Sequence, residues 1–210
     1  MVQLIARPFR VLAAALCLAS LGAPATAGRI SQSTEYFKVR GDSLAEIDRS
    51  LSQSGPILGG SGQRHPGATS VRFDGEVGYR RVPRGCEVAE TDIHLELKTT
   101  LPRWVRRKTA EPHASIVWRT LADDIARHEK QHSEIAINYL KRLESVLRNL
   151  RPEPTCRQME EKANRVMERY LAWHERAQRE FDIVEGREID MRLRKALLRN
   201  LREASAEPSP

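Results

Sequence analysis

The sequence predicts an α+β fold: a small antiparallel sheet with a short helix, packed on a long antiparallel helical hairpin. Three observations predict it. Between residues 34 and 104, short runs rich in β-branched and aromatic residues are punctuated by glycine and proline. From 115 to 186, apolar residues recur every three or four positions, the period of a helix buried on one face. Pro152 and Pro154 interrupt that helical stretch, and a short connection between two such helices folds them antiparallel.

The elements follow in chain order. Arg7 and Arg10 precede an apolar run from Val11 to Leu21, which is too short to cross a bilayer as a helix. Ala25-Thr26-Ala27 then has the small-residue pattern of a cleavage site, so residues 1–27 read as a signal peptide and the protein as secreted or periplasmic. A single domain is expected over 28–202 and a disordered tail over 203–210. In the sheet part, Tyr36 to Val39 reads as a strand ended at Gly41. Asp42 or Ser43 caps a short helix carrying Leu44, Ile47 and Leu51, and Gly55-Pro56 ends it. Four strand-like runs follow, at 69–73, 76–82, 86–90 and 91–98. In the last, Ile93, Leu95 and Leu97 alternate with polar neighbours. Leu101-Pro102-Arg103-Trp104 is expected to break the sheet.

In the helical part, the first stripe collects Leu121, Ile125, His128, His132, Ile135, Tyr139, Leu143, Val146 and Leu150. Thr155 and Gln158 form a capping-box pattern for the second helix. Its stripe is Met159, Ala163, Val166 or Met167, Tyr170, His174, Ala177 and Phe181. Gly186 is expected to interrupt it, with a basic third piece over 187–202 carrying Ile189, Leu193, Leu197 and Leu201 on one side.

Charge and cysteine content narrow the setting. The formal charge is +7, or +5 once Arg7 and Arg10 leave with the signal. An excess spread along an exported chain suits an anionic envelope surface rather than nucleic acid. Cys17 leaves with the signal as well. Cys86 and Cys156 remain, and in an oxidising compartment two cysteines pair most simply as one disulfide. Closing so long a loop is worth about 4 kcal/mol in the chain-entropy model. Neither cysteine lies in a CxxC, which excludes a dithiol redox motif or a zinc ribbon.

His128-Glu129-Lys130-Gln131-His132 is an HExxH motif. Histidines four apart on a helix lie one turn apart on one face, so both imidazoles can reach one ion. Both fall on the apolar stripe. Glu129 sits beside them, where a carboxylate can take a proton from water activated by zinc and pass it to a leaving amine. The motif arises by chance in roughly one or two per cent of chains of this composition, and its position inside a long helix adds weight.

A catalytic zinc needs a third protein ligand and an open position. No further histidine follows the motif at the metzincin spacing, so the ligand is expected from the second helix. If the hairpin turns near 152–153, His132 faces about 173 and His128 about 177. His174 therefore ranks first, followed by Asp182, Glu185 and Glu175. His65, His94 and His113 read as surface residues, and Trp104 and Trp118 as core or cleft-wall residues.

A set of pieces in order resembles the DUF922 family of bacterial proteins, described as predicted secreted zinc-dependent proteases. The pieces are Tyr36-x-x-Val39-x-Gly41, Gly55-Pro56 with Gly59-Gly60, Cys86, Leu101-Pro102-x-Trp104, Trp118, His128 to His132, Cys156 and Phe181-Asp182. The resemblance implies an α+β fold, a disulfide, zinc at His128 and His132, and Glu129 as catalytic base. The resemblance also leads one to expect Thr and His-Gly after the Asp182 equivalent. This chain has Ile183-Val184-Glu185-Gly186-Arg187 there, which leaves the third ligand open.

The expectation is therefore a secreted zinc metallopeptidase acting on a peptide or protein substrate. The alternative is a non-catalytic envelope protein with a structural or vestigial metal site, binding anionic surfaces.

Overall fold

The computed structural model describes residues 29–58, 62–106, 111 and 113–206. The expected signal peptide lies outside the described residues, as do Gly59-Gly60 and residues 207–210 of the expected tail. The elements are β1 (Arg29–Val39), α1 (Leu44–Ser54), β2 (Ala68–Val82), β3 (Gly85–Trp104), α2 (Ala114–Arg148) and α3 (Cys156–Ala206). This is the expected α+β arrangement.

The sheet has the order β1-β3-β2. β2 and β3 are antiparallel, but β1 runs parallel to β3, so the sheet is mixed and not wholly antiparallel. The four expected strand runs merge into two long strands. Gly75 falls between the expected runs 69–73 and 76–82, yet it lies inside β2 at φ 150°, where a Cβ would meet the Asp92 carbonyl oxygen at 2.1 Å. Glycine here permits close approach of β3 rather than a break. A register shift between Gly78 and Tyr79 takes up the remaining irregularity.

Leu101 to Trp104 also continues β3 instead of breaking it, pairing with Tyr36 to Val39 of β1. Pairing with β2 ends at Thr100. Beyond that point β3 has one neighbouring strand, and a proline without an N–H is tolerated there.

Ser43 caps α1. Its hydroxyl accepts from the Glu46 N–H, and the Glu46 carboxylate reaches back to the amides of Asp42 and Ser43. Ile47 and Leu51 of α1 pack with Val39 and Ala114, against which Phe37, Trp104 and Trp118 lie.

The main core joins Val71, Ile93, Leu95 and Leu97 of the sheet to Ala136, Leu140, Leu143 and Leu147 of α2, with Ala163 and Met167 of α3. The α2 face against the sheet is thus rotated from the expected stripe. It runs Glu129, Ser133, Ala136, Leu140 and Leu147, and its polar members hide its periodicity in the sequence. The expected stripe instead marks much of the side turned to α3, where His132 and Tyr139 meet Gln178 and His174.

Cys86 and Cys156 form a disulfide across 70 residues. Cys86 and Glu153 also exchange backbone hydrogen bonds of 2.7 and 2.9 Å, so the hairpin turn is tied to the start of β3. The disulfide fits an extracellular or periplasmic protein. Among the described residues, no helix is long and apolar enough to cross a membrane.

Gly186 does not interrupt α3. The expected third piece is the same helix, which continues to Ala206 and so includes the first residues of the expected tail. One internal glycine costs about 1 kcal/mol. Against it stand the bonds of Arg192 to Asp124 and of Asn200 to Thr120, which hold the distal part of α3 to α2. From His128 back to Thr120, α2 rises about 12 Å, while α3 rises about 27 Å between Asp182 and Asn200. The two helices therefore do not remain straight and parallel beyond the site.

Candidate metal centre

The site is built on the middle of the helical hairpin. His128 and His132 lie one turn apart on α2, and Asp182 faces them from α3. Asp182 Oδ1 is 3.0 Å from His132 Nε2 and 3.4 Å from His128 Nε2. The two Nε2 atoms are 3.1 Å apart. These three atoms form a group that can hold a metal ion. In a tetrahedral zinc site with bonds of about 2.0–2.1 Å, ligand atoms are separated by about 3.3 Å. The observed spacings bracket that value, and two imidazoles with one carboxylate leave a fourth position open. The donor set fits zinc.

Phe181 fixes the ring planes. It stacks on His128 at 4.9 Å and meets His132 edge-on at 5.0 Å. His132 is buried, whereas His128 and Asp182 are partly open to solvent. Burial alone disfavours a charged His132, but hydrogen bonds to Asp182 and Gln178 outweigh it and raise the pKa above the ordinary histidine value. Burial likewise opposes the Asp182 carboxylate, yet hydrogen bonds from His128 and His132 hold its pKa well below the usual range. Asp182 thus favours a proton on His132, and an arriving cation competes with that proton.

His174 is not in this group. It is fully buried behind His132, edge-on to Phe73 and Tyr139 at 5.2 and 5.6 Å. Its Nε2 is 2.8 Å from the Gln178 side-chain nitrogen. Burial, followed by the charge of His132, lowers its pKa to about 4. The residue ranked first from the sequence therefore stands behind the site, and Asp182 stands in it.

Part of the cause is geometric. Side chains on both helices lean toward their own N-termini. In an antiparallel pair this moves each meeting partner on the second helix away from the turn. His132 meets Gln178 and Asp182 rather than residue 173.

The other two candidates from the second helix also lie outside the group. Glu185 stands behind His128, 3.7 Å from Nδ1, and is held by Arg127 and Arg192, which both also bind Asp124. Glu175 is on the surface beside Arg179.

Glu129 is buried on the sheet side of α2. The Thr69 hydroxyl donates to its carboxylate at 2.8 Å and lies 3.0 Å from its carbonyl oxygen. Gly67 leaves the carboxylate room: a Cβ there would meet Glu129 Oε1 at 3.0 Å and Ile125 Cγ2 at 2.7 Å. Glu129 shares with His128, His132 and Asp182 a cleft of about 520 Å³, walled also by Leu58, His65 and Ile183.

His65, read as a surface residue, is thus a wall of this cleft. His94 bonds Ser31 on the exposed face of the sheet, and His113 precedes α2. Trp104 and Trp118 pack on each other at 6.0 Å, away from the cleft. Sequence reading missed Thr69 and Gln178. Each is an isolated polar residue within an element, with no motif to single it out.

A family model described as bacterial protein of unknown function (DUF922) matches residues 34–188. The chain belongs to the DUF922 family. The matched span runs from β1 into the distal part of α3 and contains Thr69, His128, Glu129, His132, His174, Gln178 and Asp182, while Arg192 lies beyond it. No curated protein and no solved structure matches this DUF922 chain.

Proposed function

We propose that this DUF922 protein is an exported zinc-dependent metallopeptidase. The observation that carries the reading is the convergence of His128 Nε2, His132 Nε2 and Asp182 Oδ1 at spacings of 3.0 to 3.4 Å, beside a buried glutamate in an open cleft. His128, His132 and Asp182 would hold the ion. Zinc in such a site supplies Lewis acidity, acidifying water and polarising a carbonyl.

The chain's own residues do the rest. Glu129 lies in the cleft but outside the ligand group, the placement a general base requires. It takes the proton of the attacking water and delivers it to the leaving amine as the peptide C–N bond breaks. Thr69 holds that carboxylate against the start of β2, and Gly67 leaves it room. Two histidines and one carboxylate also serve non-haem iron(II). A buried glutamate adjoining the first histidine favours hydrolysis.

The test is metal analysis of the purified protein and its His128→Ala variant, followed by assay on a peptide library. The expected result is about one zinc per chain in the first and none in the second, with peptide cleavage abolished by Glu129→Gln. Equal metal content in the two proteins, or cleavage that survives Glu129→Gln, would reject the proposal.

A further inference from the structure

Behind the ligand group lies a buried row of three polar side chains, His132, Gln178 and His174, in which Gln178 is 2% exposed and His174 0%. Its orientation follows from one fixed point. The backbone carbonyl of His132 can only accept, so the Gln178 side-chain atom 3.0 Å from it is the NH2 nitrogen. The same nitrogen is 2.8 Å from His174 Nε2, which therefore accepts its second N–H. Both amide hydrogens are thereby engaged. Oε1 is left facing His132 Nδ1 at 2.5 Å, and it accepts the Nδ1 proton. A proton held at Nδ1 makes Nε2 the coordinating atom, and Nε2 is the atom that faces His128 and Asp182.

We infer that Gln178, oriented by His174, is a positioning residue that fixes the ring and the ligating nitrogen of His132. The inference rests on the metal reading above. It gives His174 a part in the site without contact with the ion. A neutral amide occupies the place where metal-bound histidines often meet a carboxylate, so the row adds no negative charge to the buried side of the site.

Zinc and cobalt(II) affinities, measured by chelator competition, test the inference together with the visible absorption spectrum of the cobalt form. Gln178→Met keeps the side-chain length and removes both the acceptor and the donors. It should weaken binding by about 10- to 100-fold and shift the cobalt bands. Gln178→Glu restores an oxygen acceptor for His132 Nδ1 and should recover most of the affinity lost in Gln178→Met, with cobalt bands displaced by the added charge, a rescue that a purely structural role does not predict. If Gln178→Met does not fold, Gln178→Asn, whose amide falls short of His132, replaces it with the same expectation. Unchanged affinity and spectrum in the folded variant overturn the inference and leave the metal reading standing. Failure of the unaltered protein to take up either ion overturns the metal reading, and this inference with it.

Discussion

His132 Nε2 lies 3.0 Å from Asp182 Oδ1, joining the two arms of the hairpin at the base of the cleft. This pair separates the two candidates for the third ligand. Asp182→Ala is expected to abolish tight zinc binding, whereas His174→Phe retains about one zinc per chain. Metal content after dialysis against a weak chelator decides it, and zinc kept by Asp182→Ala but lost by His174→Phe would return the ligand role to His174.

Glu129→Gln preserves size and removes the basic group. Zinc content should stay near that of the unaltered protein, while peptide hydrolysis falls by roughly 10²- to 10⁴-fold. Loss of zinc in this variant would mean that the carboxylate supports the ion rather than the reaction.

Gly67→Ala tests the contact from the sheet side. The added methyl meets Ile125 Cγ2 at 2.7 Å and Glu129 Oε1 at 3.0 Å, so the carboxylate has to move. Turnover should drop roughly 10- to 100-fold with zinc retained, the cost of a small misplacement of a reacting group. Normal turnover in Gly67→Ala would show that the position of Glu129 is not critical.

The buried His174 predicts an acid limb in the stability of the metal-free protein. Its folded pKa is lowered to about 4 from the ordinary 6.5. Between those values the unfolded chain binds a proton that the folded chain refuses, so stability falls as pH drops through this window and levels off below it. The loss amounts to about 3 kcal/mol. Urea denaturation of the unaltered protein and His174→Phe across pH 4 to 7 should show that extra slope in the former alone; parallel curves would contradict it.

The Cys86–Cys156 bond joins the sheet to the first residue of α3. Replacing both cysteines by serine should lower stability by about 2–4 kcal/mol in denaturant titrations. Zinc uptake should persist, because the ligands come from the middle of the hairpin.

The hairpin, the capped helix α1 and the disulfide were legible because each leaves a local or periodic mark: apolar spacing, Ser43 with Glu46, and the two cysteines outside the expected signal peptide. The parallel pairing of β1 with β3 was not, since Tyr36-Phe37-Lys38-Val39 would look the same beside either neighbour. Helix–helix register was legible only to within about two turns. His174 and Asp182 lie eight residues apart on α3, inside that margin, and the direction in which side chains lean adds a displacement that residue counting omits. Thr69 and Gln178 carry no mark at all, and their roles arise only when β2 and α3 close over the HExxH turn.

The three residues that would hold an ion sit on a single hairpin, whereas Thr69 and Gly67, which hold Glu129, come from the start of β2 and the residue just before it. On the proposed reading, custody of the ion and command of the proton fall to different parts of the chain. Drift confined to the strand would silence catalysis yet leave the cation in place. Inactive metal-carrying relatives would then be recognised by an altered strand, beside an HExxH motif that still reads as intact.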